Sequence, residues 1–497
     1  MSETPRDTFS SRLHEQPSDP HRHLYRQPMF ADYLEYLWDP LLACNRAQAV
    51  GLAECAIIGT EERDRLLAAI DEIDAAIDPT TYDDLDTFEG PYFLFEDRLR
   101  SAVGTDLAGR LHTGRSRNDL YAAAVRLAIR ERLLDTVRAL CDCRAVLQNR
   151  IAETTELVMP AFTHSQPAQP ITVGHYLLAI DHALARDVTR IRSAYTTTNQ
   201  SPLGAAAIGG TGFPLDRDRL AELLAFDGIV VNTYDAIATV DYLLESGAAL
   251  GGAPITISRV AHDLLVWSMF EIGFVELSEA MSTVSSIMPQ KKNPGVLEKL
   301  RARSGDAVGL VSTISATLAA RPYGDIGETW DAAKPILVSV DAITTSIHLF
   351  AAVINDIEFN EERMYDDAVT SFATMTEVAD TLVREGGLSF RAAHEVVGSM
   401  VHTVHDSDRT ADQVTMADLN TASDTVLGQT DLIDADALAA ALDPATNVTR
   451  RSIPGGTAPD ACRTDLEHQR VDLAADYDWL EQVDRRIAAA IVDRSEP

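Results

Sequence analysis

Lysine is almost missing from this chain. Its 497 residues carry 42 strong bases, but only Lys291, Lys292, Lys299 and Lys334 are lysine; the others are arginine. Positive charge of any kind is short, because 76 acids bring the net charge to −34. That balance excludes nucleic acid and anionic membrane surfaces as partners, since a phosphate-rich surface would repel the chain. The acid is spread over the whole length and is not gathered in a tail. It therefore implies a hydrated, salt-tolerant surface. At molar salt the Debye length is about 3 Å, and the self-repulsion becomes tolerable.

Other absences narrow the class further. The five cysteines (Cys44, Cys55, Cys141, Cys143 and Cys462) are odd in number and scattered. They are expected to be reduced and structural, with no metal site and no cofactor. No run of about 18 apolar residues appears, so no membrane span is expected. The first residues are polar and have no apolar segment of a secretory signal. Residues 1–24 are expected to be poorly ordered, and the protein to be cytoplasmic.

Strand signals are few and short, whereas helical periodicity is abundant. From Asn118 to about Glu153 there is no Gly or Pro, and Leu120, Ala124, Leu127, Leu133, Val137 and Leu140 recur at helical spacing. Similar stretches are expected at Pro170–Tyr195, at Tyr234–Met269 with a break near Gly251, at Pro294–Ala319 and at Trp330–Ile357. Phe372–Glu385, Phe390–His405 and a tail from about Glu467 to Asp493 continue the pattern. Residues 406–436 are acidic and poor in aromatics, which suggests a surface region. Helices this long are unusual where the mean is roughly 11 residues. The fold class is all-α, with a long helical bundle completed by partner subunits. Three divisions are expected: 1–113, a central bundle 114–365 and a C-terminal helical part 366–497.

Three segments do not look like scaffold. In Gly109-Arg-Leu-His-Thr-Gly-Arg-Ser-Arg-Asn-Asp119, cap residues and two arginines meet where a long helix begins, a suitable anion site. A single well-capped helix start would explain one of these residues but not Arg115, Ser116, Arg117, Asn118 and Asp119 together. In Met159–Ile171, three prolines fix the directions of Thr163, His164, Gln166 and Gln169, and imidazole suits proton transfer near neutral pH. The third segment is Ser285-Ser-Ile-Met-Pro-Gln-Lys-Lys-Asn-Pro294, leading to Glu298. Three of the four lysines lie in or just after it, so an ammonium is needed there where a guanidinium will not serve. No Gly-rich phosphate cradle and no GxSxG elbow accompany them. Carboxylate binders, an imidazole and a serine fit proton abstraction beside a carboxylate, whose dianionic intermediate needs cations and amides.

These segments resemble the argininosuccinate lyase family of the fumarase/aspartase superfamily. Gly109–Asp119, Thr163-His164-x-Gln166 and Ser285–Asn293 look like its three signature regions. Thr376–Arg384, Phe390–Gly398 and Gly455-Gly-Thr-Ala-Pro459 are similar to its C-terminal motifs. The resemblance implies a homotetramer in which each active site takes one signature region from each of three subunits. It also implies a C–N lyase that releases fumarate from an N-substituted aspartate. Ser285 would take or return the Cβ proton, and His164, oriented by Glu298, would handle the other proton transfer. Lys291 and Asn293 would hold the reacting carboxylate; Arg115, Ser116, Arg117, Asn118, Thr163, Gln166 and Tyr323 would bind substrate. A serine base needs a stabilised alkoxide, so backbone N–H groups and a helix N-terminus are expected near Ser285.

The departures from the family gather where the amine would be chosen. The family's Glu-Asp-x-His is matched by Glu89-Gly-Pro-Tyr92, its Gln after Asn-Asp by Leu120, and Val284 and Gly295 stand for Gly and Asp. Its Tyr-Asn-Arg-Asp-x-Gln-Glu-Asp-Lys is matched by Tyr323-Gly-Asp-Ile-Gly-Glu-Thr-Trp-Asp331. Argininosuccinate is the default substrate. A different N-substituted aspartate of aminopolycarboxylate type, and a non-catalytic structural homologue, are the alternatives. Asp325, Glu328 and Asp331 suit a cationic amine.

Overall fold

The computed structural model describes residues 17–325 and 327–492. The backbone is helical from Asp19, and this early turn runs into helix α1 (Gln27–Glu54). The segment expected to lack order therefore contains helix at residues 19–24; residues 1–16 of it lie outside the described residues.

Ser116 starts the longest element. Its hydroxyl accepts from the Asn118 amide, and the Asp119 carboxylate returns a bond to the Ser116 amide, a reciprocal cap. Helix α2 (Arg117–Thr154) follows, 38 residues without Gly or Pro. At 1.5 Å per residue it is about 57 Å long. A hairpin turns the chain back: β1 (Val158–Thr163) pairs antiparallel with β2 (Gln166–Thr172), and α3 (Val173–Thr198) then runs back against α2. The helix expected from Pro170 thus begins three residues later, because Pro170–Thr172 complete a strand. The expected break near Gly251 separates a helix at Asp241–Leu250 from α4 (Gly252–Trp267).

A second small hairpin, β3 (Thr283–Val284) with β4 (Lys292–Asn293), precedes α5 (Gly295–Leu318) and α6 (Glu328–Asp356). One continuous core joins Leu133 and Leu140 of α2, Leu184 of α3, Leu264 of α4, Leu300 and Ile314 of α5, and Ile343 and Phe350 of α6. Over 18 residues, α6 is apolar enough to match a membrane span by composition, with a mean hydropathy of 1.8, although no such stretch was expected. It is a bundle helix: Ile336, Ile347 and Phe350 are buried in the core, and Lys334 pairs with Asp32 of α1 at 2.7 Å.

The last helix, α7 (Pro459–Val492), starts eight residues earlier than expected and returns to the bundle, placing Leu466, Leu473, Leu480 and Val483 in its core. A buried polar knot fixes it there. Arg144 donates to Asp181 (3.0 Å) and Asp476 (2.9 Å), and Gln148 donates to Asp181. A separate core is built from residues 375–441. Within it, Met416–Leu427 is helical and buries Leu419 and Ala422, so 406–436 is not merely surface. Phe30 to Leu111 form another core with Leu120, Leu127 and Leu220–Phe226. All five cysteines are free.

Candidate active site

The first signature segment is bent by Gly114, at φ +76°, where an added Cβ would meet the Leu215 side chain at 2.7 Å. The bend sends Arg115 inward. Its guanidinium is buried, donates to Asn45 of α1 and faces no solvent. Arg115 therefore anchors the segment from beneath and is not presented to a ligand, as the sequence had suggested. Asp119 is buried with it. One carboxylate oxygen accepts from Gly204 and Ala206 amides at 3.0 Å each, so the cap also ties down the 203–206 loop. Burial pushes Asp119 up to about 6 against the pull of those amides. His112 Nδ1 shares a hydrogen bond with the Tyr92 hydroxyl at 2.7 Å, and burial beside Arg115 and Arg117 pushes the imidazole down to about 4.

Arg117 and Asn118 face outward into a cleft of about 310 Å³. Arg117 lies over the Phe93 ring at 4.7 Å and pairs with Glu89 at 3.4 Å. Asn118 donates to the Ala207 carbonyl at 3.1 Å. The opposite wall comes from Asp325, Gly327, Thr329 and Trp330, with Tyr33 edge-on to Trp330 at 4.5 Å. Asp325 lines this wall, with no hydrogen bond or ion pair among the described residues, and burial raises its pKa. At the back is Arg126, stacked on Tyr242 at 4.0 Å. Tyr323 is exposed beside the cleft, stacked on Tyr234, with its hydroxyl 2.9 Å from that of Thr239. The structure thus joins Arg117, Asn118 and the 323–331 segment, which the sequence had singled out separately. Tyr33 and Arg126 were not foreseen. Arg126 could have been, since residues 118, 122, 125 and 126 share one face of a helix.

The other two segments lie at the far end of the bundle. His164 and Ser165 form the two-residue tip of the β1–β2 hairpin, both at positive φ (+52° and +61°), and Thr163 pairs with Gln166. All four side chains are exposed. Ser285 opens the loop between β3 and β4. Its hydroxyl oxygen accepts from the Ile287 amide at 3.3 Å and the Met288 amide at 3.0 Å. The expected N–H groups are present, but they come from a turn; the nearest following helix, α5, begins only at Gly295. Lys292 pairs with Glu276 at 2.8 Å. Lys291 and Glu298 are exposed and Asn293 is half-buried; none of the three side chains has a hydrogen-bond partner among the described residues. His164 and Glu298 are not joined within the chain.

Helix geometry sets the separation. Helix α5 runs its 24 residues between the serine loop and the 323–325 segment, about 36 Å. The other end of α6 lies beside that of α2, since Arg150 donates to the Ile357 carbonyl at 2.8 Å. One chain therefore holds the Arg117 cleft at one end and the serine and imidazole at the other.

Comparisons with known proteins agree with this architecture. The model of the family described as "Lyase" matches residues 43–309, and that of "Argininosuccinate lyase C-terminal" matches 372–449. An argininosuccinate lyase of Halobacterium salinarum is 39% identical over 437 residues, covering 88% of this chain and 87% of its own. A crystal structure of EDDS lyase in complex with formate is 32% identical, with a TM-score of 0.86 over 97% of this chain and 95% of that one. A class II fumarase of Schistosoma mansoni shares the fold at 17% identity, with a TM-score of 0.66 over 84% of this chain and 90% of its own. The chain is a carbon–nitrogen lyase of the fumarase/aspartase superfamily and belongs to the argininosuccinate lyase family.

Proposed function

We propose that the enzyme eliminates fumarate from argininosuccinate and releases arginine, in arginine biosynthesis in the cytoplasm, as a salt-adapted homotetramer. The observation that carries the substrate is the two-signed cleft. Arg117 and Asn118 offer donors for a carboxylate, while Glu89, Asp325 and the rings of Tyr33 and Trp330 surround the rest. That lining suits a molecule with a carboxylate at one end and a guanidinium at the other. An aminopolycarboxylate would set its further carboxylates against Glu89 and Asp325, so the alternative fits less well.

The chemistry needs all three segments. Removal of a Cβ proton beside the carboxylate gives a dianionic enediolate. The Lys291 ammonium and the Asn293 amide stabilise it, with Arg117, Ser116, Asn118 and Thr163 on the carboxylates and Gln166 and Tyr323 at the edges. Collapse of that intermediate breaks the C–N bond, and the departing nitrogen takes a proton. Ser285 and His164 divide the two transfers, and Glu298 orients the imidazole. The two amides that donate to Ser285 oxygen support an alkoxide there. Supplying these groups to one cleft takes three subunits.

The test is fumarate absorbance in molar KCl with argininosuccinate, wild type against Ser285→Ala. Turnover that vanishes in the variant is the expected result. A folded wild-type tetramer without turnover would remove argininosuccinate; adding amines to fumarate in the reverse direction would then find the true partner.

A further inference from the structure

The described cleft holds one ion pair that a substrate must break. Arg117 is not free: its guanidinium has Phe93 against its face at 4.7 Å and the Glu89 carboxylate at 3.4 Å. Both come from one short stretch, because Gly90 caps the helix Pro91–Val103 that carries Phe93. An incoming carboxylate that uses Arg117 competes with Glu89. Both side chains are 44% exposed, so the pair is the weak, easily opened kind. Glu89 also lines the same cleft as Asp325, which has no partner among the described residues.

We infer that Glu89 is a stand-in carboxylate: it holds Arg117 in the empty site, yields it to the substrate's carboxylate, and then faces the cationic end of the leaving amine together with Asp325. Glu89 is thus a positioning and specificity residue, and the inference rests on the proposed substrate only for its second half. The exchange has two consequences. Before binding, the arginine keeps its place over Phe93, and any other anion must compete with Glu89 for it. After binding, a carboxylate released from Arg117 becomes available to a guanidinium. A ligand with two carboxylates and no cation gains only the first contact and leaves Glu89 unpaired.

Glu89→Gln separates these effects. Fumarate binding to the assembled variant, followed by calorimetry at one fixed KCl concentration, is expected to tighten about two- to fivefold, the size allowed by one exposed ion pair. The KM for argininosuccinate is expected to rise several-fold with kcat nearly unchanged. A residue that merely braces the cleft would weaken both ligands, so weaker or unchanged fumarate binding overturns the exchange. Asp325→Asn is the control: it should raise the argininosuccinate KM and leave fumarate untouched. If it tightens fumarate as Glu89→Gln does, the cause is lost negative charge in general, and the inference fails. Absence of argininosuccinate turnover in the wild type would strike the substrate reading alone, because the fumarate arm needs no turnover.

Discussion

His112 shows how one buried side chain sets a pH dependence. Its ring is held neutral by burial beside Arg115 and Arg117, with Nδ1 hydrogen-bonded to the Tyr92 hydroxyl. The unfolded chain takes a proton near pH 6.5, whereas the folded one resists until about 4. Stability from this residue is therefore present above pH 6.5 and lost as the pH falls toward 4. In His112→Gln, which keeps an acceptor for Tyr92, the fall of melting temperature between pH 6.5 and 4 should be shallower than in the wild type. Identical slopes would show that His112 plays no part in acid sensitivity. Such residues mark the limit of reading a sequence. Ser285, Lys291 and Asn293 stood out because lysine is so rare elsewhere. Tyr33 did not, because only the tertiary fold brings it into the cleft that holds Arg117. Arg115 was misplaced because a turn at Gly114, invisible as side-chain chemistry, sends it inward.

Helices were legible and hairpins were not, for a physical reason. Helix α2 declares itself through a long apolar period and a Ser116–Asp119 cap, both local. The β1–β2 hairpin contains Pro160, Pro167 and Pro170, which usually speak against strands. An isolated two-strand ribbon tolerates them, because it has outer edges where no ladder donor is needed. Its tip is strained, since a two-residue turn of this kind favours glycine at positive φ and here holds His164 and Ser165. Ser165→Gly should relieve about 1 kcal/mol. Hydrogen exchange at Thr163 and Gln166 should then slow by about fivefold. Unchanged protection would mean that packing, not the turn, holds the hairpin. The C-terminal helix poses the reverse problem. Its amphipathic pattern was legible, but its destination depends on Arg144, fully buried between Asp181 and Asp476. Arg144→Leu takes the counter-ion from buried Asp181, which keeps only the Gln148 amide, while Asp476 keeps Arg192 at 2.7 Å; it should cost ~3–5 kcal/mol, a loss of the kind measured when a buried pair is broken. Protease cleavage within α7 at native temperature is the readout; resistance equal to wild type would show that the apolar contacts of Leu466 and Leu473 suffice.

At the scale of the whole molecule, the proposed chemistry asks for more than one chain at each site. About 36 Å of α5 separates Ser285 from Asp325 in the wall of the Arg117 cleft. No loop movement of a few residues bridges that gap. Exposed Val284, Ile287 and Phe270 beside the serine loop, and Ile255 and Val338 on α4 and α6, are apolar surface for a partner to cover. Complementation between two dead variants tests this directly. Ser285→Ala and Arg117→Ala should each be nearly inactive as homotetramers. When the two are unfolded, mixed in equal amounts and refolded in molar KCl, the subunits should reassemble at random. A site that takes Arg117 from one copy and Ser285 from another then receives both intact in about a quarter of cases, so about a quarter of wild-type activity should return. If both groups of a site came from the same chain, every site would keep one lesion, and mixing would restore nothing. Mixing without refolding is the matched control, and it should stay silent for as long as subunits do not exchange.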